Sequence, residues 1–458
     1  MLTLVAISCA GPPQPTPDRP LQTGDTAPQD PAILEASGRA LLHQIMNDHH
    51  ELYESLMYAR EPPPHALVSA QAQMAKLRGL EDMTGLLDSY PAGTAALIYH
   101  LPRVSPREPG SRRGPQEGLV GARPCTDAHD EHNRAPVEMI LIDSQGIAAS
   151  ARSPAGVDQI DDLGRALRAQ IAAGLPLEPS RTAQPMISAA LPVDARQSLT
   201  EALLPDPVSG ALREVRHLII VPVASIGTVP FAVLDPWGEG RPLIERMSIS
   251  IAPGLHTLAD EIEPWGASFD RPLLVGDPAD TGLPALPGAR QEVLALALHL
   301  GATALIGPDA TRRAVMAQIH DADLLYFATH GQADPSNPLD GGALILASGA
   351  ALSARKLQSM KLHARLAVLS ACDTGLGAAH EGGTIGLSRA VHLAGVPRVV
   401  MSLWPVNDQA TQALMLGFMK HLPENPPAEA LRLAMLEVRL THPSPQLWAS
   451  FAIFGTPR

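Results

Sequence analysis

Lysine is nearly missing from this 458-residue chain: Lys76, Lys356, Lys361 and Lys420 stand against 30 arginines. With abundant alanine and proline, that bias fits a GC-rich bacterial genome, a matter of codons and not of chemistry. Positive charge is short overall. The formal net charge is −13, which argues against a sequence-independent grip on nucleic acid, since that needs a basic face. Aromatic residues make up only 3%, so a core must be built from Leu, Val, Ile and Ala. Three cysteines, Cys9, Cys125 and Cys372, are too few for a disulfide framework. No apolar run reaches the ~18–20 residues of a membrane-spanning helix. What is present fits a folded protein. The chain is 45% hydrophobic and 18% charged, which excludes wholesale disorder. At ~100–200 residues per domain, its length predicts two or three domains and a large core.

Met1–Ser8 is a short apolar run followed by Cys9-Ala10-Gly11. It resembles the end of a bacterial lipoprotein signal, in which the cysteine receives the lipid, although no Lys or Arg precedes the run. Gly11–Pro31 is rich in Pro, Gln, Thr and Asp and reads as a flexible tether. Residues 33–92 form a helical segment, with Leu41, Leu42, Ile45, Leu52, Leu56 and Met57 at helical spacing. A second helical stretch runs from about Ala66 to Leu87. Pro102–Pro136, between two apolar strands, reads as a long exposed loop. It contains Cys125-x3-His129-x2-His132, which could hold a soft divalent metal. A structural zinc site needs four ligands on a fixed frame. No frame is evident, so the reading is a solvated polar loop and no metal.

Strands are expected at Thr94–Leu101, Val137–Ile142, Leu218–Val223 and Met247–Ile251, with a helix over Val157–Ala172. From Arg271 onward, apolar strands alternate with helices. The strands are Pro272–Val275, Leu324–Ala328, Leu366–Ser370 and Val399–Leu403. The helices are Arg290–Leu300, Thr311–Ile319 (capped by Asp309), Thr384–Leu393, Gln409–His421 and Glu429–Val438. Continuous apolar strands between amphipathic helices predict a parallel sheet covered on both faces.

In such sheets ligands bind at the carboxyl ends of the strands. Leu324–Thr329 runs into His330-Gly331, and Leu366–Ala371 runs into Cys372-Asp373-Thr374-Gly375. Two such strands in one parallel sheet would open on the same rim. A thiol beside an imidazole is the minimum apparatus for covalent acyl transfer. The imidazole promotes the thiolate and then protonates the leaving amine. The backbone amides of Gly331 and Cys372 are candidates for an oxyanion hole. Either residue alone would read as structural, Cys372 as a small core hydrophobe. It is the joint placement that points to chemistry. The chain contains no G-x-S-x-G, G-x-x-x-x-G-K-[ST] or H-E-x-x-H motif.

At these residues the sequence resembles the CHAT-domain peptidases, bacterial relatives of caspases and separase. The resemblance spans roughly residues 93–458. It is carried by L-I-I-V-P-V-A-S-I-G-T-V-P-F-A-V-L at Leu218–Leu234 and L-P-G-A-R-Q-E-V at Leu286–Val293. L-Y-F-A-T-H-G at Leu325–Gly331 and L-S-A-C-D-T-G at Leu369–Gly375 bear the histidine and the cysteine. H-E-G-G-T-I-G-L-S-R-A at His380–Ala390 and S-L-W-P-V-N-D-Q-A-T at Ser402–Thr411 complete the set. The resemblance implies a caspase-like three-layer α/β sandwich with a mostly parallel sheet. A degenerate half (93–265) would precede an active half (270–458). Many relatives carry tetratricopeptide repeats; no such period occurs here. In separase-like relatives an acidic residue near Asp408 lines the pocket for a basic side chain. Carboxylate recognition of Arg fits that role. Equally, Asn407 or Asp408 caps the helix starting near Gln409. Asp373 is a second candidate on the substrate side, or positions the loop. Glu381 matches a family position without a physical role.

The function these observations imply is that of a cysteine endopeptidase. Cys372 is the nucleophile, His330 the general base and acid, and Gly331 and Cys372 the oxyanion amides. No metal or organic cofactor is needed. The partners expected are a protein or peptide substrate and an activating protein. No nucleic acid is expected, and membrane contact would come only through lipid on Cys9, at the cell envelope. The competing class is a non-catalytic caspase-like scaffold.

Overall fold

The computed structural model describes residues 40–48, 72–73, 75–77, 85–102, 136–173, 195–259, 264–266, 268–334, 336–371, 378–380, 383–406 and 408–455. Cys9, the tether and the Cys125-His129-His132 loop lie outside them, as do Cys372, Asp373, Glu381 and Asn407.

The first part of the chain supplies β1 (Thr94–His100), β2 (Pro136–Asp143), β3 (Gly146–Gly156), helix α1 (Val157–Ala173), β4 (His217–Val221) and β5 (Ser248–Ile251). The second supplies β6 (Pro272–Pro278), α2 (Pro287–Leu300), β7 (Ala304–Gly307), α3 (Arg312–Gln318) and β8 (Leu324–Ala328). Three short strands follow, β9 (Gly331–Gln332), β10 (Ala343–Ile345) and β11 (Ala351–Ser353). Then come β12 (Leu366–Leu369), β13 (Ala378–His380), β14 (Gly383–Ile385), α4 (Leu387–Leu393), β15 (Arg398–Ser402), α5 (Asp408–His421), α6 (Pro427–Thr441) and β16 (Phe451–Gly455).

Eleven of these strands form one sheet in the order β3-β2-β1-β4-β5-β16-β15-β12-β8-β6-β7. The expected parallel core is present on each side. β1, β4 and β5 run parallel, as do β15, β12, β8, β6 and β7. The sheet as a whole is mixed, because β16 is antiparallel to β15 and parallel to β5. The two parallel blocks therefore run in opposite directions, and their carboxyl ends open on opposite edges.

The strand pattern explains burial on both faces. Along β1, Ala95, Leu97 and Tyr99 enter one apolar cluster, while Ala96 and Ile98 enter another. That is the two-residue alternation of a strand with both faces covered. The second cluster also takes Leu42, Ile45 and Met46, so the helix at residues 40–48 covers that face. The continuous apolar runs of β8 and β12 are wholly buried. The two blocks are also stitched by polar contacts. Arg432 of α6 donates from Nε to the Ile244 carbonyl and from Nη2 to that of Glu245, each at 2.9 Å.

Two local expectations are corrected. Residues 384–385 are not helical. Thr384 and Ile385 belong to β14, which pairs with β13, and the helix starts only at Leu387. Helix α3 is capped by Thr311, whose hydroxyl accepts from the Ala314 N–H, and not by Asp309. The hydroxyl immediately before the first helical residue is better placed for those amides.

Candidate active site

Strand order fixes where a crevice forms. The chain passes from β6 through α2 to β7 on one side, then returns to β8 on the other side of β6. Such a reversal separates the loops that leave the two strands and opens a cleft at their carboxyl ends. β6 ends in Gly276-Asp277-Pro278, and β8 leads into Thr329-His330. At Gly276 the strand lies so close to α2 that a Cβ would meet Val293 Cγ2 at 2.9 Å.

His330 is half-buried at this rim. Its Nε2 lies 2.7 Å from the Pro284 carbonyl, on the loop between β6 and α2. A carbonyl only accepts, so Nε2 is the protonated nitrogen in this contact, and the neutral ring presents its lone pair at Nδ1. The His330 carbonyl is also held, by the Thr329 hydroxyl and the Ile345 N–H, each at 2.9 Å.

The Ile345 contact sets the direction of the next amide. In an antiparallel ladder, hydrogen-bonded and non-bonded pairs alternate. His330 and Ile345 are bonded, and Gly331 stands opposite Leu344. The Gly331 N–H therefore points away from β10. β9 is the outer strand of its three-stranded sheet, so that amide faces outward from the edge. Beyond it, Asp334 closes the loop by accepting from the Ser336 N–H at 2.9 Å and hydroxyl at 2.6 Å. The Ser336 hydroxyl holds the Asp334 carboxyl below its usual range.

β12 is the parallel neighbour of β8, with Leu369 opposite Phe327. Both strands thus end on one rim, as the sequence implies. Ala371 is buried, and its carbonyl accepts from the Ser402 hydroxyl at 2.7 Å. Cys372 is the next residue in the chain. β15 is the other parallel neighbour of β12, and α5 follows it, beginning at Asp408. The helix thus starts one residue earlier than expected. Of the two cap candidates, only Asn407 precedes it.

Two groups at this rim were not singled out from the sequence. One is the Pro284 carbonyl, a backbone atom with no side-chain signature. The other is Asp277, whose Oδ1 accepts from the Leu286 N–H and whose Oδ2 accepts from Arg290 Nε, each at 2.8 Å. Behind the site, the Tyr326 hydroxyl donates to Glu292 Oε1 at 2.6 Å and ties β8 to α2. Burial pushes that hydroxyl well above its usual pKa. Among the described residues, no group of three or more His, Cys, Asp or Glu could hold a metal ion.

Comparison with known proteins agrees with the motifs. The family model of the CHAT domain matches residues 193–456. Tetratricopeptide repeat protein 28 of Mus musculus is 24% identical over 307 residues, covering 54% of this chain and 12% of its own length. The Homo sapiens protein of that name matches with the same figures. The chain thus spans about an eighth of the length of these curated relatives. Among solved structures, the separase–securin complex of Saccharomyces cerevisiae is 10% identical with a TM-score of 0.48, covering 85% of this chain and 31% of that one. The Arg-specific cysteine proteinase gingipain R is 11% identical with a TM-score of 0.36, covering 59% and 69%.

Proposed function

The chain belongs to the CHAT-domain family, and from that premise we propose that it is a cysteine endopeptidase acting on a protein substrate. The observation that carries the proposal is the β8–β12 pairing. It brings the end of the strand before Cys372 to the same rim as His330. The hydrogen bond from His330 Nε2 to Pro284 supports it further, because it leaves Nδ1 for the thiol.

In this reading His330 Nδ1 takes the Cys372 proton, and the thiolate adds to the scissile carbonyl. The tetrahedral oxyanion is met by the Gly331 and Cys372 amides. Collapse breaks the C–N bond, and the amine leaves with the proton from His330. Water, deprotonated by the same ring, then cleaves the thioester and releases the acid, with Sγ restored. Proton transfer of this kind contributes about 10²–10⁴-fold. Asp408, at the start of α5 beside the cysteine strand, is proposed to receive a basic side chain before the scissile bond. Asp373 is proposed to face the substrate or hold the cysteine loop.

Labelling by a peptidyl acyloxymethyl ketone tests the proposal. One equivalent should attach to Cys372 and none to Cys125. Cys372→Ala should lose it entirely, and His330→Ala should slow it by about 10²–10⁴-fold without unfolding the chain. No labelling of wild-type protein, alone or with candidate activators, would leave the scaffold reading in its place.

A further inference from the structure

From the end of β6 to α2 the chain takes an uncommon backbone conformation. Asp277 (φ 43°) and Asp280 (φ 55°) both lie in the left-handed region. Aspartate visits that region more readily than most residues, and a buried one is held there by the contacts around it. At Asp277 those contacts are visible. The residue is 8% exposed, and a carboxylate so buried needs partners. It has two on the far side of the loop, the Leu286 N–H and Arg290 Nε. Leu286 is the residue before α2 and has one of the amides a helix start leaves unpaired; its own side chain cannot cap. Asp277 therefore closes residues 277–286 into a ring from the strand side. The ring is pinned at its other end as well. The Ala279 N–H donates to the Gly307 carbonyl at 3.0 Å, and the Ala279 carbonyl accepts from the Ser348 N–H at 2.9 Å.

Pro284 lies inside that ring, two residues before the amide that Asp277 grips. Its carbonyl is the group His330 Nε2 touches. Proline has no N–H, so residue 284 cannot be anchored through its own amide. We infer that Asp277 is a positioning residue for His330, acting through the loop and the Pro284 carbonyl to fix the imidazole tautomer and its orientation. The inference rests on the reading of His330 as general base, but its structural part can be tested without turnover.

The test uses the full chain with Asp277→Gly, Asp277→Asn and wild type. Glycine adopts the positive φ without strain, so this variant removes the carboxylate without adding backbone cost. Asparagine keeps an acceptor for the Leu286 N–H and tolerates the left-handed region. With ¹⁵N-labelled histidine, the His330 signals, assigned by their loss in His330→Gln, should report the Nε2-protonated tautomer in wild type and in Asp277→Asn. In Asp277→Gly they should move toward a tautomer mixture. On an arginyl peptide, kcat should fall about 100-fold in Asp277→Gly, the cost of a misplacement of order 1 Å. KM should stay within about 3-fold, and Asp277→Asn should recover most of kcat. An unchanged tautomer in Asp277→Gly, whatever its melting temperature, overturns the inference. A changed tautomer in a chain that never turns over peptide supports the positioning role and sinks the peptidase reading alone.

Discussion

β1 and β8 each deliver a histidine at or just past their carboxyl end, and the two have opposite surroundings. His100 ends β1 and is 1% exposed. Its Nε2 lies 2.9 Å from Asp48 and its Nδ1 3.5 Å from Glu138, whose other oxygen meets Arg152 at 2.5 Å. Both ring nitrogens face carboxylates, and the contact to Asp48 ties the helix at residues 40–48 to the sheet. His330 is half-buried, with one nitrogen on a backbone carbonyl and no carboxylate partner among the described residues. The first histidine thus meets side-chain carboxylates at both ring nitrogens, and the second meets a backbone carbonyl at one. The comparison extends to the neighbouring strands. β4 and β5 lead into Pro222 and Ala252-Pro253, which bear no titratable group. β6 carries Asp277 at its end, and β8 leads through Thr329 into His330.

The rim of β15 sharpens that contrast most. In the second block Asp408 starts the helix that follows β15, the strand beside β12. In its proposed role Asp408 would pair with a substrate arginine in a bidentate, charge-assisted contact, and losing such a contact costs ~2–5 kcal/mol. Asp408→Ala should therefore lower kcat/KM for arginyl peptides by at least about 30-fold. Lysyl peptides should be weaker substrates from the outset. Alkylation of Cys372 by iodoacetamide should persist. An apolar preference in library profiling, with Asp408→Ala only lowering the melting temperature, would leave Asp408 as a favourable acid in the first helical turn.

Next in size is His100 itself. Removing one partner of a buried polar cluster leaves the others without it, typically at about 1–3 kcal/mol. His100→Ala leaves Asp48 and Glu138 facing an empty site, although Arg152 still neutralises one of them. A loss of about 1–3 kcal/mol in urea unfolding is expected. Activity per folded molecule should stay at the wild-type level, because this histidine belongs to the opposite edge. If His100→Ala abolished turnover without loss of stability, the contrast between the two histidines would be wrong.

How far this was legible in the sequence depends on how much each element relies on its own residues. β8 and β12 are continuous apolar runs, and they fall where the pattern puts them. So does the histidine after β8, because a buried strand followed by His-Gly is itself a local signal. β3 was missed. Its residues, G-I-A-A-S-A-R-S-P-A-G, include small side chains and a proline, and it relies on pairing with β2 at the sheet edge. β16 (F-A-I-F-G) is not among the expected strands, although its short apolar run before Thr-Pro is a local strand signal. The pattern predicts a helix at Thr384 and Ile385, but they pair with Ala379 and Ala378 in the β13–β14 hairpin, whose three-residue strands are too short to show a strand period. The grip of Pro284 on His330 is a backbone contact across 46 positions, and no residue type encodes it.

The smallest effect concerns how the two blocks answer acid. In the first block, burial raises the Asp161 carboxyl to about 6. Its folded-state pKa exceeds the unfolded one, so the folded chain takes up that proton first, and stability rises as pH falls from above 6 toward 4. In the second block, burial lowers His392 to about 4. This ring lines a small cavity at the seam with Pro222, Ile251 and Phe454. Here the unfolded state binds the proton first. The contribution is complete above the unfolded value near 6.5 and is lost as pH falls toward 4. The two groups therefore oppose each other between about pH 4 and 6. His392→Gln should remove the acid-side loss, leaving the variant up to about 2 kcal/mol less sensitive than wild type between pH 7.5 and 4.5. Asp161→Asn should change the slope in the opposite direction. Urea midpoints of the three proteins at the two pH values measure this. Parallel shifts in all three would show that neither group titrates between the folded and unfolded states as its burial requires.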